Sequence, residues 1–159
     1  MGPVLPTELL TAVFSTGHLL IAAVWLGSMT YSLIVVQPRA ARDLGPERYE
    51  QLAQSLAAGQ RWKVLGLVSA LAVSGAGLAV LVSGDAAWWI LIAVHAALLA
   101  VAVVVFARVS WRLWPQRLFA LPGERDAVQA QFRRAALALL VVVTLACVLG
   151  AVAQVVRKS

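Results

Sequence analysis

Long apolar stretches alternate with short, arginine-rich polar ones along this chain. Four stretches reach the roughly 20 largely apolar residues that a helix needs to cross a hydrocarbon layer: residues 8–36, 63–82, 86–108 and 135–156. The first is expected to begin with Thr7 as N-cap and to stop at Gln37-Pro38-Arg39, because proline disfavours helical backbone in the residue before it. Ser83-Gly84-Asp85 reads as a tight turn joining the second and third stretches. In the longer first connection, Gly45-Pro46 places proline in the first turn of a helix, and Tyr49, Leu52, Ala53 and Leu56 follow at helical spacing. The pattern predicts an all-α protein: an integral membrane four-helix up-down bundle, a single domain over 1–159, with a short amphipathic helix on the cytoplasmic side between spans one and two.

Composition supports the membrane reading. The chain is 62% hydrophobic and 13% charged, against roughly 25% charged in a soluble domain. The first stretch lacks basic residues ahead of it and a small-x-small cleavage site, so it reads as a retained span rather than a signal peptide. Thirteen Lys and Arg face seven Asp and Glu, a balance that in a soluble protein raises nucleic acid as a partner. Here the basic residues border apolar spans, where they set topology and meet anionic lipid, and no base-reading device accompanies them. Arg39, Arg42, Arg48, Arg61 and Lys63 flank the first connection. Arg108, Arg112, Arg117, Arg125, Arg133 and Arg134 flank the third, which leaves only Arg157 and Lys158 for the other side. The positive-inside rule puts loops 37–62 and 109–134 in the cytoplasm and both termini outside, in a plasma (inner) membrane. Trp62, Trp88, Trp89, Trp111 and Trp114 fall at span ends, where indole favours the interface, whereas Trp25 lies deep in the first span. A lone cysteine, Cys147, excludes an internal disulfide and any CxxC framework.

The candidate chemistry rests on two histidines. Ionisable groups inside spans are costly and usually face the bundle interior. His18 lies ten residues into span one and His95 nine into span three, roughly 15 Å and 13 Å from the outer ends. In an up-down bundle these two helices are diagonal, and two facing neutral imidazoles are the ligand pair of a six-coordinate b-type haem. Gly17, Ala22, Ala23 and Gly27 on the first helix, with Ser74, Gly75 and Gly77 on the second, are candidates to make room for a macrocycle, and Trp25 to pack against one. Two other readings stay open: polar packing against neighbouring helices, and another metal or proton role. Copper is the competing metal, with Met29 and Cys147 as sulfur donors, but no MxxxM or His-rich segment accompanies them. Thr144 and Gln154 read as interhelical glue. No phosphate-binding loop or hydrolytic constellation is present.

The segment GHLLIAAVWLG, residues 17–27, resembles the CopD-like (copper resistance D) membrane domain in its His18, its Trp25-Leu26-Gly27 triplet and the later Pro38. RWKVLGLVSALAVSGAGL, residues 61–78, is similar in its aromatic-basic start and its mid-membrane Ser74-Gly75. The resemblance covers about the first 85 residues by motif and the rest by hydropathy. It implies a role in copper uptake or tolerance. The chain also resembles the HemJ-type protoporphyrinogen oxidases, four-helix proteins that carry b haem and use a first-helix histidine. It departs from them after the first helix, where their basic-aromatic segment is replaced by YSLIVVQPR. The resulting expectation is copper or haem handling, with one b haem on His18 and His95, Trp25 and Gly75 lining it, and electrons passing to quinone or a copper protein. The alternatives are copper ion transport without haem and a non-catalytic accessory or assembly subunit.

Overall fold

A computed structural model describes residues 4–57, 59–82, 84–121 and 123–156; Ser83, Arg157 and Lys158, and the side chain of Gln154, lie outside the described residues. Every element is helical, and no strand occurs among the described residues. The chain forms two compact units, Met1–Asp85 and Ala86–Ser159.

The first unit contains α1 (Val4–Tyr31), a π-helical turn (Ser32–Val36), α2 (Gln37–Asp43), α3 (Gly45–Ala57) and α4 (Gln60–Leu81). The helix does not stop at Pro38 as the sequence suggests, and Thr7 is not its cap. Thr7 sits inside α1, where its carbonyl accepts the Thr11 hydroxyl at 2.9 Å. Proline within a helix lacks an N–H and drives its ring against the carbonyl four residues back. The π turn ahead of Pro38 widens the spiral there. The Gln37 N–H bonds the Ser32 carbonyl five residues back, and helical backbone continues to Asp43. The resulting rod, Pro6–Asp43, has 38 residues. At 1.5 Å per residue it is about 57 Å long, nearly twice a hydrocarbon core of roughly 30 Å. The stretch expected to open a loop, with Arg39 and Arg42, is therefore a helical extension of the span.

Gly45 ends that rod. Its φ of +70° is the left-handed conformation that stops a helix after its last turn, and glycine adopts it without Cβ strain. The chain then enters α3, with Pro46 in its first turn, and α3 carries the expected amphipathic segment, with Tyr49, Leu52 and Ala53 half-buried and Leu56 exposed. Gly59, at φ +73°, turns the chain into α4.

The second unit follows a parallel plan: α5 (Ala86–Arg108), a π turn (Val109–Leu113), α6 (Trp114–Leu118) and α7 (Arg125–Val156). Here Pro115 is the residue accommodated, and the Trp114 N–H bonds the Val109 carbonyl. The third span thus runs on to Leu118 rather than ending at Arg108. The fourth starts at Arg125, ten residues before the expected start at residue 135, because its more polar opening turns continue the same helix. Glu124 prepares that start: its carboxylate accepts the Leu121 N–H at 3.2 Å, and its own N–H bonds the Leu121 carbonyl at 2.9 Å. Reciprocal bonds of this kind satisfy donors at a helix entrance. Arg117 holds α6 to α7, its guanidinium carbon 5.7 Å from the Trp114 ring centre and 5.3 Å from that of Phe132.

All four candidate spans remain apolar on the outside. At most 17% of the most apolar window of any of them is buried, and Leu20, Val80, Ile90 and Val104 are each more than 60% exposed. A surface of that kind is stable only where lipid replaces water. The chain is a membrane protein with four helices long and apolar enough to span.

In the first unit α1 packs on α4. Phe14 lies over Gly77 and His18 over Gly75, so the two helices run antiparallel. The Gly77 contact is the tightest: a Cβ there would come within 2.8 Å of Phe14 Cε1 and 2.9 Å of its Cδ1. Gly77→Ala is expected to lose about 1–3 kcal/mol, the usual cost of overpacking. Gly17→Ala, where a Cβ meets nothing within 4 Å, is expected to be neutral. Denaturant titration of both variants in the same micelle checks the difference.

Candidate histidine sites in two repeated units

The two units share a register that side-chain identity largely hides. Seventy-seven residues separate His18 from His95, Pro38 from Pro115, and the first residue of one π turn, Ser32, from that of the other, Val109. The same offset pairs Glu8 with Asp85 at the polar edges, and Trp25 with Ala102, which are 3% and 2% exposed. On the second long helix of each unit the offset is seventy-five. It pairs Val68 with Val143, both buried, and Gly75 with Gly150. Each histidine therefore occupies the same place in its own unit, fourteen residues before the π turn. Depth counted from the helix start is less even: α1 begins at Val4, which puts His18 about 21 Å along it, whereas His95 lies about 14 Å along α5.

Contact with a glycine repeats as well. A Cβ on Gly75 would lie 3.5 Å from His18 Cε1, and one on Gly150 would lie 3.4 Å from His95 Cε1. In each unit the imidazole rests on the opposite helix at a residue whose lack of a side chain lets it approach. Both histidines are half-buried.

The surroundings of His18 extend further. Its Nδ1 lies 2.8 Å from the hydroxyl of Ser74, itself 7% exposed. The same hydroxyl lies 2.7 Å from the Ala70 carbonyl and 3.2 Å from that of Leu71. A serine has one hydroxyl proton and two acceptor lone pairs. Two carbonyls, which only accept, stand on one side of it, so the proton belongs there. Were it turned to the imidazole instead, two oxygens would face each other at 2.7 Å with no proton between them. The hydroxyl thus donates to the Ala70 carbonyl and accepts the Nδ1–H of His18. The imidazole is then the Nδ1–H tautomer, with its basic lone pair on Nε2.

Of the other expected site residues, Gly75 faces the His18 ring, where a Cβ would stand in van der Waals contact with it. Trp25 is buried and accepts the Ser28 hydroxyl on its carbonyl at 2.9 Å. The residues expected to make room divide into two groups. Gly75 and Gly77 face His18 and Phe14, so their space is filled by side chains of the same unit, whereas Gly17 and Gly27 have nothing within 4 Å of a Cβ position. Thr144 is not interhelical glue: it is exposed, and its hydroxyl donates to the Leu140 carbonyl of its own helix at 2.8 Å. Cys147 is a half-buried free thiol. No group of three or more His, Cys, Asp or Glu gathers among the described residues, so a metal here would depend on the imidazoles and on ligands of its own, as an iron porphyrin does.

The sequence reading missed the repeat and the Ser74 bond. The equal spacing of His18 to His95 and Pro38 to Pro115 was the signal for the first. The second depends on which turn of α4 meets His18, and no local pattern encodes that. The chain matches no protein-family model, no curated protein and no solved structure.

Proposed function

We propose that this chain is a multi-pass plasma-membrane protein of copper or haem handling that binds one b-type haem through His18 and His95 and serves electron transfer. The observation that carries the reading is the His18–Ser74–Ala70 chain of hydrogen bonds. It presents an imidazole with its Nδ1 proton engaged and its lone pair on Nε2, the arrangement in which metal-bound histidines are held. The second histidine, in the same register of the other unit and against the equivalent glycine, supplies the like donor. The donor set suits haem iron, whose axial ligands are commonly neutral imidazoles. Bound there, the iron would supply one-electron chemistry, with a quinone or a copper protein as partner.

The chain's own residues have three tasks in this reading. His18 and His95 offer the ligating nitrogens, Gly75 and Gly150 let those rings lie close to α4 and α7, and the apolar spans keep water from the site. Arginine-rich helix extensions and α3 on the cytoplasmic side orient the protein, with both termini outside.

A reduced-minus-oxidised spectrum of detergent-purified protein tests this. The expected result is a sharp α-band of low-spin b haem; its absence after supplementation with haem overturns the proposal. Copper retained at one equivalent with no α-band would instead support copper transport by the same imidazoles.

A further inference from the structure

We infer that Ser74 is a positioning residue for His18, setting its tautomer and ring orientation so that Nε2 is the nitrogen offered to a metal. The inference rests on the haem-binding reading for its metal, but its first half concerns the protein alone.

Three observations converge on Ser74. It is the one buried polar residue among those described, at a depth where an unsatisfied hydroxyl is costly. Its hydroxyl sits between an imidazole nitrogen at 2.8 Å and a backbone carbonyl at 2.7 Å, so both of its short contacts are satisfied only with Nδ1 as donor. Its neighbour Gly75 removes the side chain that would hold the ring away from α4, with His18 Cε1 and Nδ1 at 3.5 Å and 3.9 Å from the Cβ position. The glycine sets the approach of the ring and the serine sets its rotation.

The second unit provides an internal comparison. Its glycine is kept at the equivalent position, Gly150, but the residue matching Ser74 is Leu149. Close packing of the imidazole on the helix is therefore common to both units, whereas the residue one place before the glycine differs, serine in the first and leucine in the second. A residue needed only to let two helices approach would be served by any small side chain. A hydroxyl that bonds the imidazole and its own helix at once has a chemical task. A donor bond from Nδ1 fixes ring orientation and raises the basicity of Nε2, which is the general role of outer-shell partners of metal-bound histidine.

The test uses the full chain in lipid nanodiscs, with 15N-labelled histidine and resonances assigned through single histidine replacements. The haem-free protein is expected to show His18 protonated at Nδ1 and unprotonated at Nε2. The opposite tautomer overturns the inference, whether or not haem binds. Titration with haem b then compares Ser74→Ala and Ser74→Thr with the parent chain. Ser74→Ala is expected to weaken binding by roughly 10–100-fold and to shift the midpoint potential, while Ser74→Thr, which keeps the hydroxyl, restores both. Unchanged affinity and potential in Ser74→Ala overturn the positioning role. If Ser74→Ala does not fold, the tautomer in the parent chain and the Ser74→Thr titration still decide it: a threonine variant that folds but loses affinity counts against the hydroxyl. A parent chain that binds no haem yet shows the Nδ1–H tautomer overturns the proposed function and leaves the orientation of His18 by Ser74 standing.

Discussion

With haem bound as proposed, replacing either His18 or His95 by alanine is expected to abolish the low-spin b-haem spectrum, and the two losses are expected to be alike. Both follow from ligation: a six-coordinate haem with two imidazole ligands loses its spectral character when either is withdrawn. The loss should exceed the roughly 10–100-fold expected of an outer-shell partner such as Ser74, because a bond to the metal is itself removed. Glutamine separates this from packing. Glutamine can donate and accept in an apolar bundle, so it can serve a histidine that only holds helices together, but it is a poor axial ligand for haem iron. Polar packing predicts that His18→Gln and His95→Gln behave like the parent chain. Ligation predicts that they match the alanine variants in their spectra while keeping expression and elution volume. Free imidazole added to the alanine variants should restore part of the low-spin band. Equal pigment in the parent chain and all four variants would remove both histidines from the site.

The membrane fold was legible in the sequence because its cause is a bulk property. Four apolar runs long enough to cross a bilayer leave few alternatives to spanning helices, and each run lies within a helix of the structure save Val82, the extended residue that follows α4. Span ends were read less well, for a local reason. The proline rule concerns the residue before proline in an α-helical turn, and at Pro38 and Pro115 a π turn removes the conflict that the rule assumes. Polar residues after such a turn look like a loop by composition, as Arg39 and Arg42 do, although their backbone remains helical. The candidate site was half legible. Histidine inside a span is conspicuous because of its desolvation cost. Ser74 drew notice as a small residue giving room, yet it is filled by its bond to His18. Sequence spacing shows which residues share a face of one helix. It does not show the sliding register of α1 on α4, which the contacts of Phe14 with Gly77 and His18 with Gly75 reveal.

Trp25→Ala is expected to cost about 3–5 kcal/mol of stability, the range for emptying a large buried aromatic site, while Trp62→Ala is expected to change it by less than about 0.5 kcal/mol. The contrast comes from exposure: Trp25 is 3% exposed and Trp62 is 73% exposed, although both are tryptophans in candidate spans. Trp62 sits near the start of α4, where an indole meets the interface and its loss is made up by lipid and water. Trp25 lies one turn before the Ser28 and Met29 positions, near the middle of the continuous rod Pro6–Asp43, and neither solvent reaches its side chain. Its seventy-seven-residue counterpart, Ala102, is also buried, so one unit fills this position with an indole and the other with a methyl group. A bulky residue kept at only one of two equivalent places is fitted to local space, and Trp25→Phe should recover more than half of what Trp25→Ala loses. Denaturant titration in one detergent, read by helix content, measures all three variants. The spectrum of haem-loaded Trp25→Ala then separates two roles for the same indole. A shifted α-band at unchanged haem content places the ring beside the macrocycle. An unshifted band with the full stability loss identifies it as core alone.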